Sequence, residues 1–237
     1  MGIRTVVQDK VVDRLQFVID SRPKLDYQPL PWVSGIGARR ADGSNTRWAL
    51  IESEVERLKP ATAVDIGCNV GFFTLSLAER GVAAVGLERY PRFLRMAQYA
   101  ARRAGLSNVA LMNADLVPGS MWMVPQADVV LLLSVYHHWV RYFGVEAARE
   151  MLKETWDRAG MALFFETGES ELPGWFKSMD LGSDPQSYLR AHLEEVCAGS
   201  TVRCLGTSTA FAPDLQDERA GSVTRHLFIV ERDDQRA

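Results

Sequence analysis

The sequence predicts an α/β fold, a doubly wound and mostly parallel seven-stranded sheet with an antiparallel C-terminal hairpin. Two observations indicate it. Between residues 63 and 166, short continuous apolar runs alternate with helical segments, which is typical of parallel strands that helices cover on both faces. Beyond residue 200, two β-rich runs follow one another at 201–211 and 223–232, so we expect them to pair as a hairpin.

The N-terminal region is predicted to be a short helix followed by an irregular arm. Apolar residues recur at helical spacing over residues 1–20, and residues 21–43 are rich in Pro, Gly and Trp. A second helix is expected to begin at Ser44 or Asn45, either of which is a suitable N-cap, and to end at Pro60. The predicted organisation is a helix and irregular arm over the site at 1–45, the main domain at 46–233 and a disordered tail at 234–237.

Five parallel strands and their connecting helices follow in order. The helix that Pro91 opens is well delimited, because proline suits a first helical position and Gly105 stands where glycine commonly ends a helix. The predicted strands are 63–66, 83–87, 109–112, 128–135 and 161–165. The predicted helices are 73–80, 91–104, 145–159 and 186–197.

Composition and charge narrow the class of protein. A chain of 237 residues with 47% hydrophobic and 24% charged residues fits one folded domain with decorations. The net charge of -3 gives no general attraction to phosphate backbones, which disfavours nucleic acid as a partner without excluding it. The three cysteines are odd in number and lack Cys-x-x-Cys spacing, so neither a disulfide framework nor a zinc site is expected.

No targeting or membrane segment is expected. Residues 1–20 mix charged residues among their valines, unlike a signal peptide. The most apolar run, Val129 to Val135, is far shorter than the roughly 20 residues that cross a bilayer. The interpretation is a protein of the reducing cytoplasm, and the oligomeric state is not predicted.

A glycine-bearing loop follows the first predicted strand, where a doubly wound sheet opens its ligand crevice. The segment reads Val64-Asp65-Ile66-Gly67-Cys68-Asn69-Val70-Gly71, in which Gly67 suits a tight turn, Gly71 a close backbone approach and Asn69 a positive φ. A nicotinamide fingerprint fails because Asn69 and Phe72 replace its second and third glycines. A Walker loop fails because no lysine follows Gly71. The loop is therefore not expected to hold phosphates.

Carboxylates follow the next two strands. Glu88 ends the second strand, 17 positions after Gly71, where a carboxylate can accept both hydroxyl hydrogens of a ribose. Asp115 follows the third strand, where it can accept a hydrogen bond from an adenine amino group, while Ala114 and Leu116 line the ring. Three successive strand ends therefore match one adenosine.

These three segments resemble the successive motifs of class I S-adenosylmethionine-dependent methyltransferases, over residues 60–166. The resemblance implies a Rossmann-like methyltransferase fold, methyl transfer as the activity and S-adenosylmethionine as the cofactor. It also implies that the glycine loop holds the methionine and ribose moieties, and that Asn69 replaces a commoner glycine. The predicted cofactor-binding residues are Asp65, Gly67, Cys68, Asn69, Gly71, Phe72, Glu88, Arg89, Asp115, Leu116 and Ser134.

The end of the fourth predicted strand is the expected acceptor side. It contains His137 and His138, and because histidine titrates near neutrality, one of them is the best candidate for a general base. His192 and His226 follow no parallel strand of the crevice. The resemblance favours His138, since many family members carry a histidine there, and packing near the cofactor is the alternative. Adjacent histidines after a strand point in different directions, so no metal site is predicted.

Further side chains are expected around the acceptor. Glu166 leaves the fifth strand on the same rim, where it could orient a histidine or an acceptor hydroxyl, with surface acidity as the alternative. Arg39 and Arg47 in the N-terminal arm suit a phosphate or carboxylate, because arginine forms bidentate pairs with such groups. Tyr136 and Trp139 could exclude water from the reactive sulfonium, with core packing as an equal alternative.

Three functions stay open at this point. The segment from Leu133 to Trp139 is similar to bacterial methyltransferase domains that cap sugar or phosphate ends of surface polysaccharides, which favours O-methylation of a small-molecule, sugar or glycan-terminal acceptor. A looser similarity to RNA 5′-phosphate methyltransferases makes RNA, at a 5′-phosphate or a base, the second candidate. A catalytically silent, methyltransferase-like binding module is the third.

Overall fold

The computed structural model describes residues 14, 16–18, 20, 28–34, 41–169, 179–210 and 223–233. The helices with complete bounds are α1 (Ala41–Leu58), α2 (Phe72–Glu79), α3 (Pro91–Ala104), α4 (Tyr136–Phe143), α5 (Val145–Arg158) and α6 (Pro185–Val196). The strands are β1 (Thr62–Ile66), β2 (Ala83–Glu88), β3 (Val109–Asn113), β4 (Ala127–Leu133), β5 (Ala159–Glu166), β6 (Ser200–Ala210) and β7 (Val223–Arg232).

The strands form one seven-stranded sheet in the order β3-β2-β1-β4-β5-β7-β6. Strands β1 to β5 are parallel to one another. Strand β7 lies between β5 and β6 and runs antiparallel to both. The predicted α/β class, with a mostly parallel seven-stranded sheet and an antiparallel C-terminal hairpin, is confirmed.

The direction of β7 decides which residues share the functional edge of the sheet. Phe165 near the end of β5 pairs with Phe228, so the residues that begin β7 lie beside the residues that end β5. We call this side, where β1 to β5 end and β7 begins, the carboxyl edge. Ligands of doubly wound sheets bind outside this edge.

Strand β4 lies at the centre of the sheet and is buried on both faces. Val130 and Leu132 pack into the cluster formed with α4, α5 and α6, while Val129 and Leu131 pack into the cluster formed with α1 and α2. All four side chains are fully buried. Burial on both faces explains why this strand reads as a continuous apolar run.

The predicted start of α1 is wrong. The helix begins at Ala41, so Ser44 and Asn45 lie inside it, and it runs across the expected domain boundary at residues 45 and 46. The Ser44 hydroxyl accepts a hydrogen bond from the Arg47 guanidinium. Its side chain therefore serves a buried contact within the helix rather than the helix start.

The prediction that β4 extends to Val135 is also wrong, and helix α4 was missed. The strand ends at Leu133, and α4 and α5 are separate helices because Gly144, with φ of 86°, interrupts them. Tyr136, Trp139 and Val140 are buried at helical spacing. This spacing in the sequence is typical of a helix, but it directly follows the apolar run of β4, which favours a longer strand.

Other expectations concern the chain ends and the membrane. Residues 14, 16–18 and 20 are helical, as predicted, and the tail at 234–237 lies outside the described residues. Helix α3 begins at Pro91 and ends at Ala104, with Gly105, whose φ is 70°, following it as predicted. Within the described ranges, no helix is both long and apolar enough to cross a membrane.

Candidate active site

The glycine loop joins β1 to α2 through three residues with positive φ. Gly67, Asn69 and Gly71 have φ of 73°, 54° and 88°, which confirms the positive φ expected at Asn69. The backbone N–H groups of Gly67 and Cys68 both donate to the Leu87 carbonyl at 2.8 and 3.0 Å. A Cβ on Gly67 would lie 2.5 Å from Cγ2 of Val135, so the loop also packs closely against the residue that precedes α4.

Glu88 is held in place by the backbone on both of its oxygens. Its side chain is buried, with 5% exposure, and Oε2 accepts from the Asn69 N–H while Oε1 accepts from the Tyr90 N–H, both at 2.8 Å. Burial raises the pKa of this carboxyl, and the two N–H groups oppose that rise. Each carboxylate oxygen keeps a second lone pair, so the geometry suits two ribose hydroxyls.

Three predicted cofactor residues lie beneath the loop. Asp65 is buried and accepts a hydrogen bond from the Thr74 hydroxyl at 2.7 Å, and burial raises its pKa to about 6. Burial also raises the pKa of the Cys68 thiol. The Phe72 N–H donates to the Gln28 side chain at 3.3 Å. These side chains support the loop from the interior, and their direct contact with a cofactor stays a prediction.

The predicted adenine side is open to solvent. Asp115 is 58% exposed and pairs with Arg89, whose Nε lies 3.6 Å from Oδ1 of Asp115. The Arg89 guanidinium also lies 4.9 Å from the centroid of the Tyr90 ring and 5.9 Å from that of Tyr142. Leu116 is buried beside Asp115. The structure therefore brings Arg89, Asp115 and Leu116 together, with two tyrosines that sequence reasoning missed, and their contact with a cofactor stays a prediction.

The two adjacent histidines differ in what their nitrogens do. The Gly168 N–H donates to Nδ1 of buried His137 at 2.8 Å, so the neutral ring carries its proton on Nε2. Burial, Arg225 and His138 lower the pKa of His137. The His138 ring lies 4.4 Å from that of His137 and stacks on Tyr142 at 6.3 Å. Burial and the charges of Arg225, Arg141 and Arg89 lower the pKa of His138 to about 4.

Glu166 is the centre of a buried charge network. It is fully buried, accepts from the Ser134 hydroxyl at 2.6 Å, and lies 3.2 Å from both Nη1 of Arg47 and Nη1 of Arg225. The Ser208 hydroxyl donates to it at 3.3 Å. Burial alone would raise the pKa of Glu166, but the two guanidinium groups hold it below its ordinary value. We call these five residues the Glu166 network.

The Glu166 network brings three predicted residues together, and others lie elsewhere. Ser134, with φ of 59°, meets Glu166 and Arg47, and Arg47 belongs to helix α1 rather than to an arm. The Tyr136 hydroxyl lies 2.8 Å from Nε2 of His192 in the core, and Trp139 is buried in the same cluster. Both therefore follow the core alternative that the sequence left open. Arg39 lies outside the described residues.

Sequence reasoning missed a histidine and carboxylate pair at the same edge. Nδ1 of His226 lies 3.1 and 3.0 Å from the two oxygens of Glu169, and the His226 backbone N–H donates to Oε1 at 2.5 Å. Glu169 follows β5, and His226 lies near the start of β7. The signal was the predicted hairpin, since an antiparallel strand beside β5 must begin where β5 ends.

Within the ranges that the structure describes, no group of three His, Cys, Asp or Glu side chains is arranged to hold a metal ion.

Residues 63–158 match the family model for the methyltransferase domain. The chain is similar to the O-antigen chain terminator bifunctional methyltransferase/kinase WbdD of Escherichia coli, with 25% identity over 157 residues that cover 61% of this chain and 21% of that protein. It is also similar to the 23S rRNA (uracil(1939)-C(5))-methyltransferase RlmD of Klebsiella pneumoniae, with 33% identity over 116 residues that cover 43% of this chain and 27% of that protein. The chain thus spans less than a third of the length of either relative.

Solved structures extend the likeness over nearly the whole chain. The crystal structure of WbdD matches with a TM-score of 0.68 and 23% identity, over 91% of this chain and 46% of that one. The N-terminal domain of EvdMO1, crystallised in the presence of S-adenosylhomocysteine and D-fucose, matches with a TM-score of 0.63 and 18% identity, over 98% of both chains. At these identities the likeness bears on the fold.

Proposed function

We propose that this chain, which carries a class I S-adenosylmethionine-dependent methyltransferase domain, methylates an oxygen of a small-molecule, sugar or glycan-terminal acceptor. The matched methyltransferase domain supports the family, the enzyme class and the cofactor that the sequence predicts, and the related structures share the fold. The nature of the acceptor and the use of a histidine as general base are the proposal.

A row of imidazoles along the carboxyl edge carries the proposal. The row begins beside the cofactor site, because the Tyr142 ring contacts both Arg89 and His138. It continues through His137 to Gly168, and the next residue, Glu169, binds His226. Methyl transfer to a hydroxyl is an in-line displacement that needs a positioned acceptor and one group to take its proton. Side chains of this kind at this edge fit oxygen methylation.

The likeness to named proteins supports a carbohydrate acceptor. WbdD is an O-antigen chain terminator, and the EvdMO1 domain was crystallised with D-fucose. The Glu166 network argues in the same direction, because Arg47 is buried against Glu166 instead of being presented to a nucleic acid backbone. We therefore place sugars and glycan ends ahead of RNA.

The test is a transfer assay with S-adenosylmethionine that carries a tritiated methyl group. Separate reactions contain D-fucose and other monosaccharides, O-antigen polysaccharide, and 23S rRNA. We expect label in a sugar or glycan fraction, and much less label with the Glu88→Gln variant when S-adenosylmethionine is subsaturating, because the variant loses a ribose contact. Label that enters only the RNA would contradict the proposal.

RNA is the second candidate because of the likeness to RlmD, which covers 43% of this chain. If RNA is the acceptor, the rate of methyl transfer should fall steeply as the salt concentration rises, because binding to RNA phosphates releases counterions. The third candidate, a silent binding module, requires calorimetric binding of S-adenosylhomocysteine without turnover on any acceptor. The same set of acceptors separates all three.

A further inference from the structure

We infer that His226, oriented by Glu169, is the general base that takes the proton of the acceptor hydroxyl, an inference that rests on the proposed oxygen methylation. The sequence favoured His138 for this role. The structure distinguishes the histidines by position, by tautomer and by the charges around each ring.

The position of His226 follows from the strand order. Because Phe165 pairs with Phe228, residue 226 lies beside the residues that follow β5. Glu169 is one of those residues, and its neighbour Gly168 binds His137. His226 is therefore on the carboxyl edge, and its partner Glu169 is adjacent in sequence to Gly168, which binds His137. Its side chain is 17% exposed, whereas that of Glu169 is 2% exposed.

The hydrogen bonds fix opposite tautomers for His226 and His137. The Glu169 carboxylate can only accept, so Nδ1 of His226 carries the proton and its lone pair lies on Nε2. For His137 the Gly168 N–H is the donor, so the Nδ1 lone pair is already used and Nε2 carries the proton. In this arrangement His226 can accept a proton and His137 cannot.

The charged groups nearest to His226 and to His138 differ in sign. The His226 ring faces the Glu169 carboxylate. It also lies near a second carboxylate, that of Asp184, the N-cap of α6. The pKa of Asp184 is lowered mainly by its hydrogen bonds with Ser187, and a positive charge on His226 adds to that effect. On β6 the paired residue is the uncharged Thr207, and the guanidinium of Arg225 on β7 binds Ser134 and Glu166.

An imidazolium at position 138 meets the opposite environment. Arg225, Arg141 and Arg89 all oppose its charge, and burial adds to that opposition. Like charges at this range disfavour the protonated form, while a carboxylate partner stabilises it. The ring of His138, stacked on Tyr142, is thus suited to packing beside the cofactor.

The proposed step balances as follows. A lone pair of the acceptor oxygen attacks the methyl carbon, the new C–O bond forms as the C–S bond breaks, and the electron pair of that bond returns to sulfur. The acceptor proton moves to Nε2 of His226, and Glu169 stabilises the resulting imidazolium. The products are the methyl ether and S-adenosylhomocysteine. His226 is the catalytic residue in this step, and Glu169 is a positioning residue.

The first test needs no acceptor. Nitrogen-15 NMR of the full chain labelled at histidine reports which ring nitrogen carries the proton. We expect His226 to be protonated on Nδ1 and His137 on Nε2, and we expect Glu169→Gln to change the His226 signals but not those of His138. A His226 ring protonated on Nε2 at neutral pH would overturn the inference and leave the proposed function standing.

The second test uses the sugar or glycan that receives the label in the transfer assay. We expect His226→Gln to lower kcat by about 100- to 10,000-fold, the usual contribution of a general base. Glu169→Gln should lower kcat by less, with KM for S-adenosylmethionine unchanged in both variants. Added imidazole should partly restore His226→Ala, which a merely structural role would not allow.

Calorimetry with S-adenosylhomocysteine checks that these variants are folded, and His138→Gln is the rival variant. If His138→Gln lowers kcat more than His226→Gln does, the assignment of the base to His226 is wrong, while the proposed oxygen methylation stands. If the native chain transfers label to RNA and to no sugar, the proposed function is wrong, and the inference about His226 that rests on it is wrong as well.

Discussion

The cofactor half and the acceptor half of the carboxyl edge are built in different ways. In the cofactor half, Glu88 is fixed by the backbone of Tyr90 and Asn69, which lie 2 and 19 positions from it. In the acceptor half, Glu166 is held by Arg225 and Arg47, which lie 59 and 119 positions from it. Local spacing therefore encodes the first half, and the strand order assembles the second.

This difference has an energetic consequence. The cofactor half presents the Glu88 carboxylate to a ligand, on a loop whose N–H groups from Gly67 to Phe72 bind acceptors within the protein. Changes to that carboxylate should therefore weaken cofactor binding more than folding. The acceptor half contains two guanidinium groups and a carboxylate out of water, so removing one partner leaves a buried charge without full compensation. The following variants separate the two halves, from the largest expected effect to the smallest.

Arg47→Met should lower the free energy of unfolding by about 3–5 kcal/mol, because it removes one cation from buried Glu166. Urea denaturation measures the loss. Arg57→Met on the same helix is the matched control, since Arg57 is 48% exposed in its ion pairs with Glu54 and Glu231 and should contribute about 1 kcal/mol or less. Equal losses in the two variants would contradict the account of the Glu166 network.

Asp65→Asn should stabilise the protein at neutral pH. The pKa of Asp65 rises from 3.8 to about 6 on folding, so its ionisation costs stability as pH rises through that range, on the order of 3 kcal/mol in full. Asparagine keeps an oxygen for Thr74 and does not ionise. Urea denaturation from about pH 4 to pH 7 should show a growing advantage for the variant.

Glu166 should have the opposite dependence on pH. Its pKa is lowered on folding, so the stability that it contributes is present above its ordinary pKa and is lost as pH falls below it.

Asp42→Asn, at an exposed position in the first turn of α1, is the matched control for the Asp65 variant. An advantage of Asp65→Asn that did not change with pH would contradict the burial argument.

Glu88→Gln should weaken binding of S-adenosylhomocysteine by about 10- to 100-fold. The change removes charge-assisted hydrogen bonds to the expected ribose hydroxyls, each worth about 1.5–3 kcal/mol. Titration calorimetry measures the affinity. The free energy of unfolding should fall by about 1–3 kcal/mol, because the amide nitrogen of glutamine cannot accept from one of the two backbone N–H groups that Glu88 binds. A loss of affinity that merely follows a loss of folding would contradict the division between the halves.

Gly67→Ala should weaken the same binding by about tenfold or more. The new Cβ would lie 2.5 Å from Val135, at a φ of 73° that alanine adopts at a cost of about 1–3 kcal/mol. Gly81→Ala is the matched control, because Gly81 has a φ of 84° with open space around its Cβ position. Similar affinities for the two variants would show that the loop tolerates displacement.

The cofactor half could be predicted from the sequence because its contacts are short in sequence. The spacing of Gly67, Asn69 and Gly71 predicts the turn, and the position of Glu88 at the end of β2 predicts a carboxylate beside it. Two residues at the acceptor end could not be placed in the same way. Tyr136 and Trp139 belong to α4, whose helical spacing was concealed by the apolar run of β4.

The rest of the acceptor half depends on long-range order. Arg225 and His226 reach the carboxyl edge only because β7 is inserted beside β5 and runs antiparallel to it. The sequence predicts the hairpin but does not state which of its strands joins the parallel sheet. For this reason the sequence alone does not place His226 at the crevice.

The central claim is that the methyl group goes to an oxygen of a sugar or glycan, and the bond formed in the product tests it most directly. The native chain is incubated with S-adenosylmethionine labelled with carbon-13 in the methyl group and with the acceptors of the transfer assay. Carbon-13 NMR of the purified product then distinguishes a methyl group bound to oxygen from one bound to nitrogen or carbon. We predict a methyl ether on a sugar. A labelled methyl group on a base carbon of RNA would contradict the account.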